Sequence, residues 1–219
     1  MSIKNMDNHH KNKYSNGLKR HIFDYGKFYL SQGFKNAKII SNDCGPTTIA
    51  MTINILLDHI NLKTLALDKD TIIKQSNFKL WDRIPEFIPI FGGATAPWGI
   101  ARAFNYWMMK LAIPWRAHRK SHASRLDILE NLLSGNMVTA LKIWKNPGAH
   151  WINIVSISTE KDMVYLLDPN PYLIYLAKER RIQSEPWEKF ARDWGRQSWW
   201  TRLFRLKNEI IYYKPKTEY

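Results

Sequence analysis

The stretch SNDCGPTTIAM, Ser41 to Met51, decides how this chain is read, because it holds Cys44, the sole cysteine among 219 residues, just ahead of a helical pattern. Pro46 suits the first turn of a helix, where its missing N–H costs nothing. Beyond it Ile49, Ile53, Leu56, Leu57 and Ile60 recur at helical spacing. At the amino end of a helix, unsatisfied backbone N–H groups and the helix dipole favour a thiolate, the form of cysteine that attacks carbonyls. Gly45 presents no side chain to an approaching substrate backbone, and the Cys44 N–H is placed to face a developing oxyanion. A lone cysteine beside an apolar helix is more often core than nucleophile, so its partners decide the matter.

After Gly135 the period changes. MVTALKIW (137–144), WINIVSIS (151–158) and MVYLLD (163–168) are β-branched and aromatic runs separated by turn residues, which reads as strands. His150, in NPGAHWINIVSI, stands at the start of the second run, where a base for Cys44 is needed. If the second and third runs pair antiparallel around Thr159 to Lys161, residues whose numbers sum to about 318–320 face one another. That brings Asp168 or its immediate neighbours opposite His150, where a carboxylate holds an imidazole through a ring N–H. Separately, a strand histidine and an Asp-Pro-Asn triplet are ordinary structural features. The combination is more specific, because a helical half and a sheet half bring the three together at their junction.

A mass of 25.9 kDa with 45% hydrophobic residues supports one sizeable core. The expectation is an α+β protein with a flexible basic arm over residues 1–30 and a single domain over 31–219. Further helices are expected after Thr95 and Pro97, from Ser124 with a Ser-x-x-Asp capping box reaching Asp127, and over 186–195, with a closing strand over 208–215. One cysteine excludes an internal disulfide framework. The first thirty residues lack an apolar run of signal-peptide length, so a cytoplasmic location is the default, with leaderless secretion as an effector or toxin also compatible.

The net charge is +14 and the isoelectric point near 9.8. Arg102, Lys110, Arg116, Arg119, Lys120 and Arg125 accumulate in a stretch without acids, a candidate contact for nucleic acid, an anionic surface or a cell-wall polymer. A solvated basic face is the plainer reading. His118 and His122, spaced for one helix face, are the main histidine pair; with no HEXXH, C-x-x-C or glycine-rich phosphate loop, neither metal nor cofactor is expected.

NDCGPTTIAM, GAHWINIVSI and VYLLDPNP together resemble the nucleophile, His and Asp motifs of papain-like cysteine peptidases of the type that cleaves double-glycine leaders from bacteriocins (family thirty-nine), including its free-standing bacterial members. GGATAPWGIARAFNYW and EPWEKFARDWG continue the likeness, which spans roughly Lys38 to Tyr213. It implies a Cys44 nucleophile, His150 as general base and then acid, Asp168 as the orienting residue, and a peptide or protein substrate. The pattern departs at Lys38, where the family usually has the glutamine that completes the oxyanion hole. Asn42 is the expected donor, with Asn36 and Ser41 nearby; Gln32, twelve residues before Cys44, reaches only if the loop folds back. Losing one donor costs about 3 kcal/mol, which slows turnover without abolishing it. The sequence leaves three readings: a peptidase or amidase, an acyltransferase or transpeptidase on the same acyl-enzyme, and a weakened module that binds nucleic acid or an anionic surface.

Overall fold

A computed structural model describes residues 22, 24–36, 39–60, 66–85, 87, 92–143 and 148–216. After a 3-10 turn over Tyr25–Phe28 come two short strands, β1 (Phe34–Asn36) and β2 (Ile39–Ile40), paired as an antiparallel hairpin. Helix α1 follows over Cys44–His59, with the cysteine as its first residue. Every side chain from Cys44 to Ile53 is buried, so α1 is a central helix rather than a surface one. Helix α2 (Lys69–Gln75) opens at Asp68, whose carboxylate accepts the Thr71 N–H at 2.7 Å. Helix α3 (Pro97–Lys110) starts with Pro97, as the sequence predicts.

Strand β3 (Trp115–Lys120) leads to α4 (Arg125–Leu133), which opens with the Ser124–Asp127 capping box. Then come β4 (Met137–Ile143), β5 (Ala149–Ser158), β6 (Met163–Leu167) and β7 (Ile182–Pro186). Helices α5 (Trp187–Gly195) and α6 (Trp199–Leu203) precede β8 (Ile210–Pro215). The larger sheet is antiparallel throughout, in the order β3-β8-β4-β5-β6-β7. Sequence patterning does not foresee β3: in WRAHRK only Ala117 is buried, and the strand is defined by pairing with β8. His118 therefore lies on a strand, stacked on Tyr212, and His122 in the following turn, so the two do not share a helix face.

The central strands serve two layers. Leu141, Ile143 and Trp151 pack with Cys44, Ile49, Ile53, Phe104 and Trp107 under α1 and α3. Val138, Ala140, Ile152 and Ile154 pack with Ile128, Phe190 and Trp194 of α4 and α5. Strands buried on both faces read as near-continuous apolar runs, which is why 137–144 shows no clean alternation. A buried polar chain fastens α1 to the sheet. The Thr52 hydroxyl meets the Asn153 Oδ1 at 3.1 Å, the Asn153 amide donates to the Thr48 carbonyl at 3.3 Å, and Thr139 joins Asn153 at 2.6 Å and the Tyr213 hydroxyl at 2.9 Å.

The boundary expected at residue 30 falls too late. Tyr29 is buried and donates its hydroxyl to the Asn170 carbonyl at 2.6 Å, and a Cβ on Gly26 would lie 1.9 Å from the Lys178 oxygen. These contacts make the segment around 25–30 part of the packed body; residues 1–21 of the expected arm lie outside the described residues. No helix among the described residues is long and apolar enough to cross a membrane.

Close packing gives one test of this arrangement. A Cβ at Gly99 would lie 2.3 Å from the Asp82 carbonyl oxygen, backbone that cannot step aside as a side-chain tip can. Gly99→Ala is expected to cost about 1–3 kcal/mol. That would be read as a lower urea midpoint with an unchanged slope; a wild-type midpoint would contradict the packing.

Candidate active site

The chain ahead of α1 is held at each residue. The Gln32 amide donates to the Ser41 carbonyl at 2.6 Å, and the Ser41 hydroxyl returns a bond to the Gln32 carbonyl. Asn42 donates to the Gly92 carbonyl at 2.8 Å, while Asp43 meets Arg83 at 2.5 Å and Lys69 at 3.2 Å. Asp43 makes no side-chain cap bond, because both carboxylate oxygens are turned to these cations. Cys44 itself retains 6% of its surface. The space over Gly45 is not open to a substrate: a Cβ there would lie 2.6 Å from the Thr95 Cβ. Thr95 is fixed in turn by a bridge to Arg83 and by the Trp151 indole N–H, which donates to its carbonyl at 2.8 Å.

The β1–β2 hairpin folds the chain back and returns Gln32 to the segment before Cys44. Gln32 is 4% exposed, and its Oε1 has no hydrogen-bond partner among the described residues. Asn42 is exposed and its amide ties it to Gly92. Lys38, at the family's glutamine position, lies outside the described residues. Gln32, twelve residues before Cys44 in sequence, is thus brought beside Ser41, three residues before it. The available signal was Gln32-Gly33, with Gly33 at φ +77°, a conformation that lets the chain reverse.

His150 is the second residue of β5 and pairs with Lys142 of β4; Asp168 follows β6 directly. Near the turn the β5–β6 register sums to 321, as in Ser158↔Met163, and beyond an irregularity between Ile154 and Ser156 it sums to 320, as in Asn153↔Leu167. Asp168 thus reaches His150 as a diagonal neighbour, and the His150 Nε2 to Asp168 Oδ1 distance is 2.6 Å. The same oxygen accepts the Asn170 N–H at 2.8 Å.

Electrostatics binds the trio. Burial works against an imidazolium at His150, but the charge and hydrogen bond of Asp168 and the contact with Cys44 outweigh it, raising the pKa from 6.5 to about 10. Burial also works against the Asp168 carboxylate, and the His150 charge and hydrogen bond, the Asn170 N–H and the Lys142 charge overcome it, holding the group below its ordinary 3.8. The three side chains named from the sequence are thus in mutual contact in sequence order, sulfur to imidazole to carboxylate.

The expected basic face is largely neutralised within the fold. Arg102 pairs with Asp82 at 2.7 Å, Arg119 with Glu209 at 2.8 Å, Lys120 with Asp127 at 2.6 Å and Arg125 with Asp162 at 2.7 Å. Lys110 donates to Gln75 and lies over Trp107. Arg116 instead lines a cavity of about 620 Å³ between α3 and β3, remote from Cys44 in the chain and not shared with the trio. Asp82, Asp162 and Glu209 come from distant segments and Asp127 lies just past the stretch, which is why a local reading of residues 102–125 found no acid. No group of three or more potential metal ligands occurs among the described residues.

Among solved structures the chain is similar to a C39-like peptidase from Bacillus anthracis, at 13% identity and a TM-score of 0.54, over 87% of this chain and 95% of that one. It is also similar to the peptidase domain of Streptococcus ComA, a bifunctional ABC transporter involved in quorum sensing, at 13% identity and a TM-score of 0.49, over 85% and 99%. No family model matches the chain. No curated protein matches it. The fold is that of the C39-like, papain-like cysteine peptidases, an α+β architecture in which the cysteine helix packs on an antiparallel sheet.

The raised pKa of His150 fixes the sign of a pH effect. Stability from its protonated form is complete below pH 6.5 and is lost as pH rises through about 10. The difference in melting temperature between wild type and His150→Gln is expected to be largest below pH 6.5 and to shrink steadily toward pH 10. A difference that grows with pH would contradict the pairing.

Proposed function

We propose that this chain is a cysteine peptidase or amidase that works through a Cys44 acyl-enzyme. The observation that carries the reading is His150, bonded to Asp168 at 2.6 Å on one side and in contact with Cys44 on the other. The thiolate attacks the scissile carbonyl carbon, forming a C–S bond and an oxyanion. His150 then gives its proton to the departing amine as the C–N bond breaks. A water molecule attacks the thioester, passing its proton to His150, and the acid product leaves as the sulfur regains its electron pair. Asp168 keeps the imidazole oriented and stabilises its charged form without itself taking the proton.

The oxyanion is assigned to the Cys44 N–H and the Gln32 amide, in place of Asn42. Support comes from the uncapped start of α1, where Asp43 leaves the first-turn N–H groups unoccupied, and from the burial of Gln32 against Ser41. The reading as a polyanion-binding module loses ground, because its cations are matched by acids.

Digestion of a peptide library, followed by mass spectrometry of the products, tests this. Wild type is expected to cleave, and Cys44→Ser and His150→Ala to be inert. Gln32→Ala should lose about 10²–10³-fold in kcat, as for removal of one oxyanion donor, while Asn42→Ala stays near wild type. Cleavage by Cys44→Ser, or a loss in Asn42→Ala with none in Gln32→Ala, would overturn the assignment.

A further inference from the structure

We propose that Lys69 is a positioning residue that locks the oxyanion side of the site to the nucleophile's helix; the inference rests on the peptidase reading above. Its ammonium donates to the Gln32 carbonyl at 2.7 Å and to the Asp43 carboxylate at 3.2 Å. Gln32 is the assigned oxyanion donor, and Asp43 is the residue before Cys44. One cation therefore spans the two segments whose spacing fixes where an oxyanion can be held. Gln32 also donates its backbone N–H to the Pro169 carbonyl at 3.0 Å, so the segment that Lys69 grips abuts the residue after Asp168.

Three details separate this contact from an incidental surface pair. The Lys69 side chain is 25% exposed and that of Asp43 12%, so solvent screens the pair only partly. Gly33 leaves the path clear: a Cβ there would stand 3.2 Å from the Lys69 ammonium on a backbone at φ +77°. Lys69 is also the first residue of α2, the end of a helix where a positive charge is disfavoured, so stabilising its own helix does not explain it. Arg83 holds the other oxygen of Asp43 and keeps the start of α1 in place when Lys69 is removed. What is lost is the one tie between Gln32 and Asp43 that runs through a single cation, leaving the Ser41 and Pro169 contacts alone to place the Gln32 amide. Sub-ångström misplacement matters here, since about 1 Å can cost about 10²-fold in rate.

Two reactions of the same sulfur isolate the effect. With iodoacetamide the thiolate displaces iodide and no oxyanion forms. With p-nitrophenyl acetate it adds to the ester carbonyl, an oxyanion forms, p-nitrophenolate leaves and Cys44 carries an acetyl thioester. In Lys69→Met the acylation is expected to slow about tenfold or more, with alkylation within about twofold of wild type. Lys69→Arg, which keeps the charge and the donors, should restore acylation. Adding Lys69→Met to Gln32→Ala should cost little beyond Gln32→Ala alone, as for residues acting through one another. Unchanged acylation in Lys69→Met overturns the proposal, as does an equal fall in both reactions, which marks a general loosening. If wild-type Cys44 reacts with neither reagent faster than a free thiol, the peptidase reading itself fails and the proposal with it.

Discussion

The clamp between α1 and β5 is the constraint on which the site depends. A helix buried on nearly all sides has no amphipathic stripe to fix its rotation or its slide along a sheet. Dispersion contacts alone tolerate small displacements, whereas buried hydrogen bonds do not, because each unmade one costs about 1–3 kcal/mol. Asn153 supplies the fixed point: its amide meets the Thr48 carbonyl and its oxygen the hydroxyls of Thr52 and Thr139. Since Thr48 lies one turn from Cys44 and Asn153 three residues from His150, the clamp sets the sulfur against the imidazole.

Around that contact the molecule accepts several buried charges. His150, Asp168, Lys142, Glu185 and Asp43 all lie largely out of water, and each is matched by an opposite charge or a donor. Such arrangements add little net stability compared with a packed hydrocarbon core, since desolvation offsets the Coulombic gain. Under the proposed peptidase reading, such fixed charges suit a reaction in which a new negative charge develops. Lys142, placed across from His150 in the strand pairing, also helps to keep Asp168 ionised.

Local signals carried much of the architecture. Ser124 and Asp127 marked the start of a helix, Pro97 another, and the β-branched runs after Gly135 the central strands. The contact of Cys44 with His150 and of His150 with Asp168 could be foreseen because each residue sits at or next to the end of an element. The parts that escaped depend on contacts between distant segments. The irregularity in β5 changes the register sum from 321 to 320, which puts Asp168 opposite Ile152 and so diagonal to His150 on the same face of the sheet. The return of Gln32 to Ser41 depends on the hairpin between them, and the pairing that offsets the basic stretch depends on acids such as Glu209, 90 residues from Arg119. Strand β3 has no apolar alternation of its own, so only its pairing with β8 reveals it.

The central claim is that Asp168, through His150, makes the Cys44 sulfur a nucleophile. Labelling with an epoxysuccinyl peptide, followed by weighing the intact protein, tests it most directly. The expected result is a single adduct at Cys44 in the wild type, formed much more slowly in Asp168→Asn and hardly at all in His150→Ala. Equal labelling rates in the three proteins, or no adduct in any, would contradict it.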